Sequence, residues 1–288
     1  MVEISAVMVM KLRKMSGQGM MDCKQALQEA NGEIAEAMNI LRKKGLATLA
    51  KRAERETSQG LVVSKSAADG RTSAMATLCC ETDFVAKSDD FVAAAKTLAE
   101  YALACQADNG PENILETTVD GKNFNDLLTE LVSKTGEKTQ VGDYAKYKLD
   151  GPGLISTYIH FNEKVGTMVQ IDTSDDKTAG ADALKRTAND IAMHITATKP
   201  LALNKDQIDA ETIEREKAIF AEQVQNKPPN IIEKIVEGKL QKFFAENCLL
   251  QQPFVKDDSK TVEQVLAEAA KQAGGEAKIA RFVRFEVG

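Results

Sequence analysis

A chain of 288 residues has room for about two domains of ordinary size, and 43% apolar residues suffice for packed cores. Aromatic residues are only 5% and tryptophan is absent, so those cores are built from aliphatic side chains, methionine and alanine. A formal charge of −6, with basic and acidic residues interspersed, leaves no basic stripe for duplex DNA or RNA.

The longest apolar runs fall short of a membrane span. Met1-Val2-Glu3-Ile4 lacks the basic start and apolar stretch of a secretion signal. Five cysteines, an odd number with no C-x-x-C spacing, point to a reduced, cytoplasmic protein. Cys79 and Cys80 are adjacent, so in a strand they face opposite sides and do not chelate one ion together. His160 and His194 have no carboxylate or thiol at ligand spacing, so no metal site is expected. No cofactor is expected either.

Residues 3 to 54 are expected to form three short helices. The first carries Ile4, Val7, Met8, Leu12 and Met15 at three- and four-residue spacing and breaks at Gly17-Gln18-Gly19. The second runs from about Met21 to Ala30 and stops at Asn31-Gly32. The third carries Ile34, Ala37, Met38 and Leu41 and is expected to stop at Lys44-Gly45. Met20 and Met21 are adjacent helix positions and do not both face one interior, so at least one is expected at the surface as an adaptable contact. Lys51 to Glu56 is densely charged and reads as a solvated, helical linker.

A repeat follows. Gly60-Leu61-Val62-Val63-Ser64 lines up with Gly153-Leu154-Ile155-Ser156-Thr157, 93 positions on. At the same offset Met75 meets Met168, Leu78 meets Ile171, and Leu98-Ala99 meets Ile191-Ala192. Each copy reads as strand, turn, strand and long helix, with Asp69-Gly70 as a strong first turn and Phe161-Asn162-Glu163-Lys164 as the second. Two α+β subdomains, about 56–150 and 151–288, are expected to pack side by side, each with helices over one sheet face.

Within the first copy an apolar run, Ser73 to Cys80, leads through a short polar segment into a helical run from Phe91. That segment, Thr82-Asp83-Phe84-Val85, sets one large ring beside one carboxylate on a strand-to-helix loop, where function concentrates. The ring either folds back as a staple between helix and sheet or points outward as an anchor for a partner. The matching loop, Ser174-Asp175-Asp176-Lys177, has no aromatic residue, which favours the partner.

Glu211 to Gln225 and Ile231 to Asn247 read as two helices joined at Pro228-Pro229, a hairpin arm over 208–248. It either packs on its own body or meets a second chain as a coiled coil. Thr261 to Ala273 reads as a last helix and Lys278 to Val287 as an edge strand.

Six blocks in order along nearly the whole chain resemble the elongation factor Ts family. These are Leu12 to Leu27, Glu81 to Lys87, Ile191 to His194, Ile235 to Lys239, Gln252 to Val255 and Arg281 to Gly288. The resemblance implies an α+β fold with a ubiquitin-associated-like domain at 1–55, two repeated subdomains, and a projecting arm in the second. It implies nucleotide exchange on elongation factor Tu, with GDP released by disturbance of the Mg²⁺ site. It places Thr82, Asp83, Phe84 and Val85 at that disturbance. It sets Leu12, Arg13, Gly19, Met20 and Met21 on the partner's nucleotide domain and makes His160 a secondary contact. Dimerisation through the hairpin is left open. Phe161 to Lys164 departs from the family's more glycine-rich turn, and the family's further C-terminal helix has no counterpart in these residues.

No phosphate loop, no G-x-S-x-G and no H-E-x-x-H occurs, so the chain reads as a binding protein rather than an enzyme, with no direct role at nucleic acid or membrane. Two rivals are a thiol enzyme using Cys79 or Cys80, which lacks a nearby base, and a nucleic-acid-associated scaffold.

Overall fold

The structure, a computed structural model, describes residues 4–225 and 228–288. Residues 1–3 of the segment judged for a leader, and 226–227 of the expected proline turn, lie outside the described residues. Helices α1 (Ala6–Ser16), α2 (Met20–Glu29) and α3 (Ile34–Lys51) open the chain. Ser5 caps α1 by accepting the Met8 N–H at 3.3 Å, and Gly17 ends it at φ +68°, a conformation that suits glycine. The buried stripe of α1 is Val9, Leu12 and Ser16, whereas Val7 and Met15, expected inside, are exposed. Three short helices enclose only one narrow stripe each, and the rest of each surface faces outward.

Gly45 does not stop α3. A Cβ there would meet the Thr129 carbonyl oxygen at 2.8 Å, so the glycine lets α3 lie close on a later helix. Beyond Lys51 the chain turns rather than continuing as a helical linker, and Arg52 and Arg55 are engaged in ion pairs.

The first α+β unit comprises β1 (Gln59–Ser66), β2 (Thr72–Cys80), α4 (Asp83–Ala86), α5 (Asp89–Ala104), α6 (Pro111–Glu116), β3 (Thr118–Val119), β4 (Lys122–Asn123), α7 (Phe124–Thr135) and β5 (Thr139–Lys148). The second comprises β6 (Gly153–Ile159), β7 (Val165–Thr173), α8 (Asp176–Gly180), α9 (Asp182–Thr198), α10 (Ala210–Glu222), α11 (Pro229–Asn247), β8 (Pro253–Phe254), β9 (Asp257–Thr261), α12 (Val262–Ala273) and β10 (Ala277–Glu286).

The strands form antiparallel sheets ordered β1-β2-β5 and β10-β7-β6. The elements β1, β2, α4 and α5 recur 93 positions on as β6, β7, α8 and α9; α7 and β5 recur 138 positions on as α12 and β10, because the α10–α11 arm is inserted in the second copy. The fold is thus α+β, with three N-terminal helices, two repeated units and a helical hairpin.

Each sheet has helices on one face. Phe91, Leu98 and Phe124 fill the first core, and Leu184, Ile191 and Leu266 the second. The other faces pack on each other through Val62, Met75, Tyr147, Met168 and Val287. The central strands β2 and β7 are therefore buried on both faces, which explains their near-continuous apolar runs. α3 docks on α7 through Gly45, an Arg42–Asp126 ion pair and a 3.2 Å hydrogen bond from the Ser133 hydroxyl to the Leu41 carbonyl. At the base of the arm, Phe244 and Cys248 are buried with Ile208, while α10 has no buried residue along its length.

Candidate functional site

The segment expected as a loop after β2 is the one-turn helix α4. Two caps in close succession cause this. The Thr82 hydroxyl accepts the Val85 N–H at 3.4 Å and starts α4; the Ser88 hydroxyl accepts the Phe91 N–H at 3.4 Å and starts α5. Ser88 also donates to the Val85 carbonyl at 2.7 Å, which closes the single turn. Ala86 is buried and Val85 packs on the first core. With those two side chains turned inward, Phe84 points away, and 83% of it is exposed. The staple reading of this ring is excluded by that exposure. In the second copy α8 repeats the geometry with Asp175 as cap and an exposed Lys177 where Phe84 stands.

Asp83 sits half-buried beside the ring and accepts from Lys87 Nζ at 2.8 Å. Lys87, and beyond it the charge of Lys164, hold the Asp83 carboxyl below the usual carboxylate range. Lys164 belongs to the β6–β7 turn and also donates to Gln59 Oε1 at 2.7 Å. That turn therefore lies beside α4, tied further by the Val62 N–H donating to the Glu163 carbonyl at 2.7 Å.

At the turn, His160 is half-buried, with Nδ1 3.2 Å from the Tyr158 hydroxyl. Its ring lies 4.4 Å, centroid to centroid, from Phe161, which is 89% exposed. In sequence Phe161 stands only as part of a turn, so its role as a surface ring is not marked there. The available signal was an aromatic ring among Asn162, Glu163 and Lys164, where nothing in the turn calls for one. Glu163 holds φ +55°, so the turn keeps a left-handed residue without a glycine.

In the N-terminal helices, Arg13, Gly19, Met20 and Met21 are exposed. Met20 and Met21 are 43% and 74% exposed, and Met10 and Met15 of α1 are exposed too. Leu12, expected among the contacts, is fully buried with Cys23, Ala26 and Leu27, so it holds α1 in place rather than reaching outward. Lys134 links the turn between α1 and α2 to α5. Its aliphatic chain lies where a Cβ on Gly17 would clash, and its Nζ donates to Asp90 of α5 at 3.1 Å.

The five thiols are unpaired and buried. Burial pushes the Cys80 thiol up to about 12, and Cys79 is raised for the same reason. A thiol so disfavoured as thiolate makes a poor nucleophile, which weakens the thiol-enzyme rival. Among the described residues no cluster of three His, Cys, Asp or Glu could hold a metal ion, and no helix is long and apolar enough to cross a membrane.

A family profile described as elongation factor TS matches residues 81–288. A Nitratiruptor elongation factor Ts is 44% identical over 99% of this chain and 93% of its own length. Elongation factor Ts from a Clostridium botulinum strain is 40% identical over 99% of this chain and 93% of its own. The chain belongs to the elongation factor Ts family. The Nitratidesulfovibrio vulgaris family member, 40% identical over 99% of this chain and 96% of its own, agrees. Membership places the chain among the elongation factors of protein biosynthesis.

Proposed function

We propose that this chain is a guanine-nucleotide exchange factor acting on elongation factor Tu in the cytoplasm, and that Phe84 is its working part. A large apolar ring held out to water on a capped one-turn helix is the observation that carries this reading. Thr82 supplies the cap, Val85 the inward anchor and Asp83 a charge beside the ring. Wedged between helices of the partner's nucleotide domain, the ring favours a partner conformation in which the Mg²⁺ and GDP site is distorted. Exchange then follows from linkage: a factor that weakens GDP binding by some ratio is itself bound more weakly by the GDP form, by the same ratio.

Arg13, Gly19, Met20 and Met21 supply a second contact, where methionine adapts to the partner's surface. His160 with Phe161 supplies a third, on the same side of the molecule as α4. The division at 1–55, 56–150 and 151–288 follows these roles: one contact per unit.

The test is stopped-flow release of a fluorescent GDP from elongation factor Tu. The parent protein is expected to accelerate release strongly. Phe84→Ala should slow the accelerated rate by roughly 30- to 1,000-fold, corresponding to the loss of an anchor of about 2–4 kcal/mol. Equal rates for mutant and parent at matched binding would defeat the wedge.

A further inference from the structure

We propose that Glu81 is a positioning residue that locks the helix carrying Phe84 to the segment leading from the three N-terminal helices. The proposal rests on the wedge reading of Phe84 and deepens it.

The Glu81 side chain is only 11% exposed. Arg52 Nη1 donates to one of its oxygens at 2.7 Å and Arg55 Nη1 to the other at 2.9 Å. The Lys138 N–H donates at 2.6 Å. Lys138 closes the loop from the other side, its Nζ donating to the carbonyls of Ala53 at 2.7 Å and Arg55 at 2.9 Å. Next door the exchange is reciprocal. Glu137 accepts the Thr82 N–H at 3.1 Å and the Thr82 hydroxyl at 2.8 Å. Residues 52–55, 81–82 and 137–138 thus form one polar knot directly under α4. Burial opposes the charge, but the Lys138 N–H and the two arginines outweigh it and hold the Glu81 carboxyl down at about 2.

The second copy serves as an internal control. Ser174 occupies the place of Glu81, and the N–H of Glu276, the counterpart of Lys138, donates to the Ser174 hydroxyl at 3.1 Å. The strand-to-helix turn therefore needs one acceptor for that N–H, and a neutral hydroxyl suffices. The carboxylate and its two arginines are surplus to the turn. They occur in the copy that also carries the exposed ring, while the other copy has Ser174 and Lys177. A buried carboxylate is retained only where its partners compensate for its desolvation, and here those partners come from the N-terminal connection. An exposed ring transmits force to a partner only if its own helix does not yield, and this knot is what α4 stands on.

The experiment uses the full chain with Glu81→Gln, Phe84→Ala and the double variant. Amide hydrogen exchange of residues 82–88 in the free protein is expected to rise about tenfold or more in Glu81→Gln, with β2 and β5 unchanged. With elongation factor Tu·GDP, the release rate at saturating factor should fall about tenfold, while the half-saturating concentration shifts by less than about twofold. In the Phe84→Ala background, Glu81→Gln should add less than about twofold, because it acts through the ring. Unchanged protection of 82–88, or an equal further loss in both backgrounds, would overturn the proposal. If Phe84→Ala releases GDP like the parent, the wedge reading fails, and the amide measurement still decides whether Glu81 holds α4. Should Glu81→Gln not fold, Arg55→Gln removes one arm of the knot at an exposed residue, with about a threefold loss expected in the same direction; no change in either readout would count against the proposal.

Discussion

His194 in α9 gives a sharp test of the second unit through pH. The residue is fully buried. Its Nδ1 accepts the Val255 N–H at 3.2 Å, and since a backbone amide can only donate, the ring proton must sit on Nε2. Nε2 then donates to Gln252 Oε1 at 2.8 Å. Both ring nitrogens are satisfied only in the neutral form. Protonation at Nδ1 would set N–H against N–H and bury a charge stacked on Phe254. Burial accordingly pulls the His194 pKa below its usual value, with the Gln252 bond opposing only in part. The unfolded chain takes up this proton near pH 6.5 and the folded chain does not, so the unfolded state binds more protons below that pH. Stability is therefore intact above about pH 6.5 and falls below it, by at most about 1.4 kcal/mol per pH unit, until the folded pKa is reached. Urea unfolding followed by far-UV circular dichroism suits a chain without tryptophan. Between pH 7.5 and 5.5 the parent should lose more stability than His194→Gln, by at most about 1.4 kcal/mol. Equal losses in the two proteins would refute this account of the site.

Gly45→Ala, which at an open helix position would gain about 1 kcal/mol, should instead cost about 1–3 kcal/mol, because the new Cβ would lie 2.8 Å from the Thr129 oxygen; thermal unfolding reads the sign. Glu163→Gly should be neutral or stabilising by about 0.5 kcal/mol, while Glu163→Val should cost about 1–2 kcal/mol, since φ is +55° there; denaturant midpoints distinguish them. Phe161→Ser should leave the unfolding midpoint unchanged, because the ring is exposed, and should weaken binding of elongation factor Tu by roughly 5- to 30-fold in a titration.

Much of the fold is legible in the residues. The copies at Gly60 and Gly153 share strand patterns because their strands meet the same two environments, a helical layer on one side and the other sheet on the other. Asp69-Gly70 announces the first hairpin, and Gly70 indeed takes φ +68° there. Other features depend on long-range packing. Gly45 carries the same letter as a helix stop, and only the approach of α7 shows that it serves contact. β5 is missed because Thr139 to Lys148 mixes polar and apolar residues as an edge strand does, with Val141, Tyr144 and Tyr147 too sparse to announce it. Arg52 and Arg55 look solvated in sequence, since Glu81 lies far along the chain. At the site, Thr82 to Val85 can be singled out by type, but their one-turn helix cannot, because it needs both the Thr82 and Ser88 caps and the Glu137 acceptor. Leu12 and Arg13 are neighbours in a motif, yet a helix sets successive side chains about 100° apart, so Leu12 is buried and Arg13 exposed.

The central claim is that the ring of Phe84 binds selectively to a partner state with a disrupted nucleotide site. Linkage makes this measurable without a rate. Titration of this chain against nucleotide-free and GDP-bound elongation factor Tu gives two dissociation constants, and their ratio equals the factor by which the chain weakens GDP. The account predicts a large ratio for the parent and a ratio smaller by roughly 30-fold or more for Phe84→Ala. A ratio that Phe84→Ala leaves unchanged would contradict it.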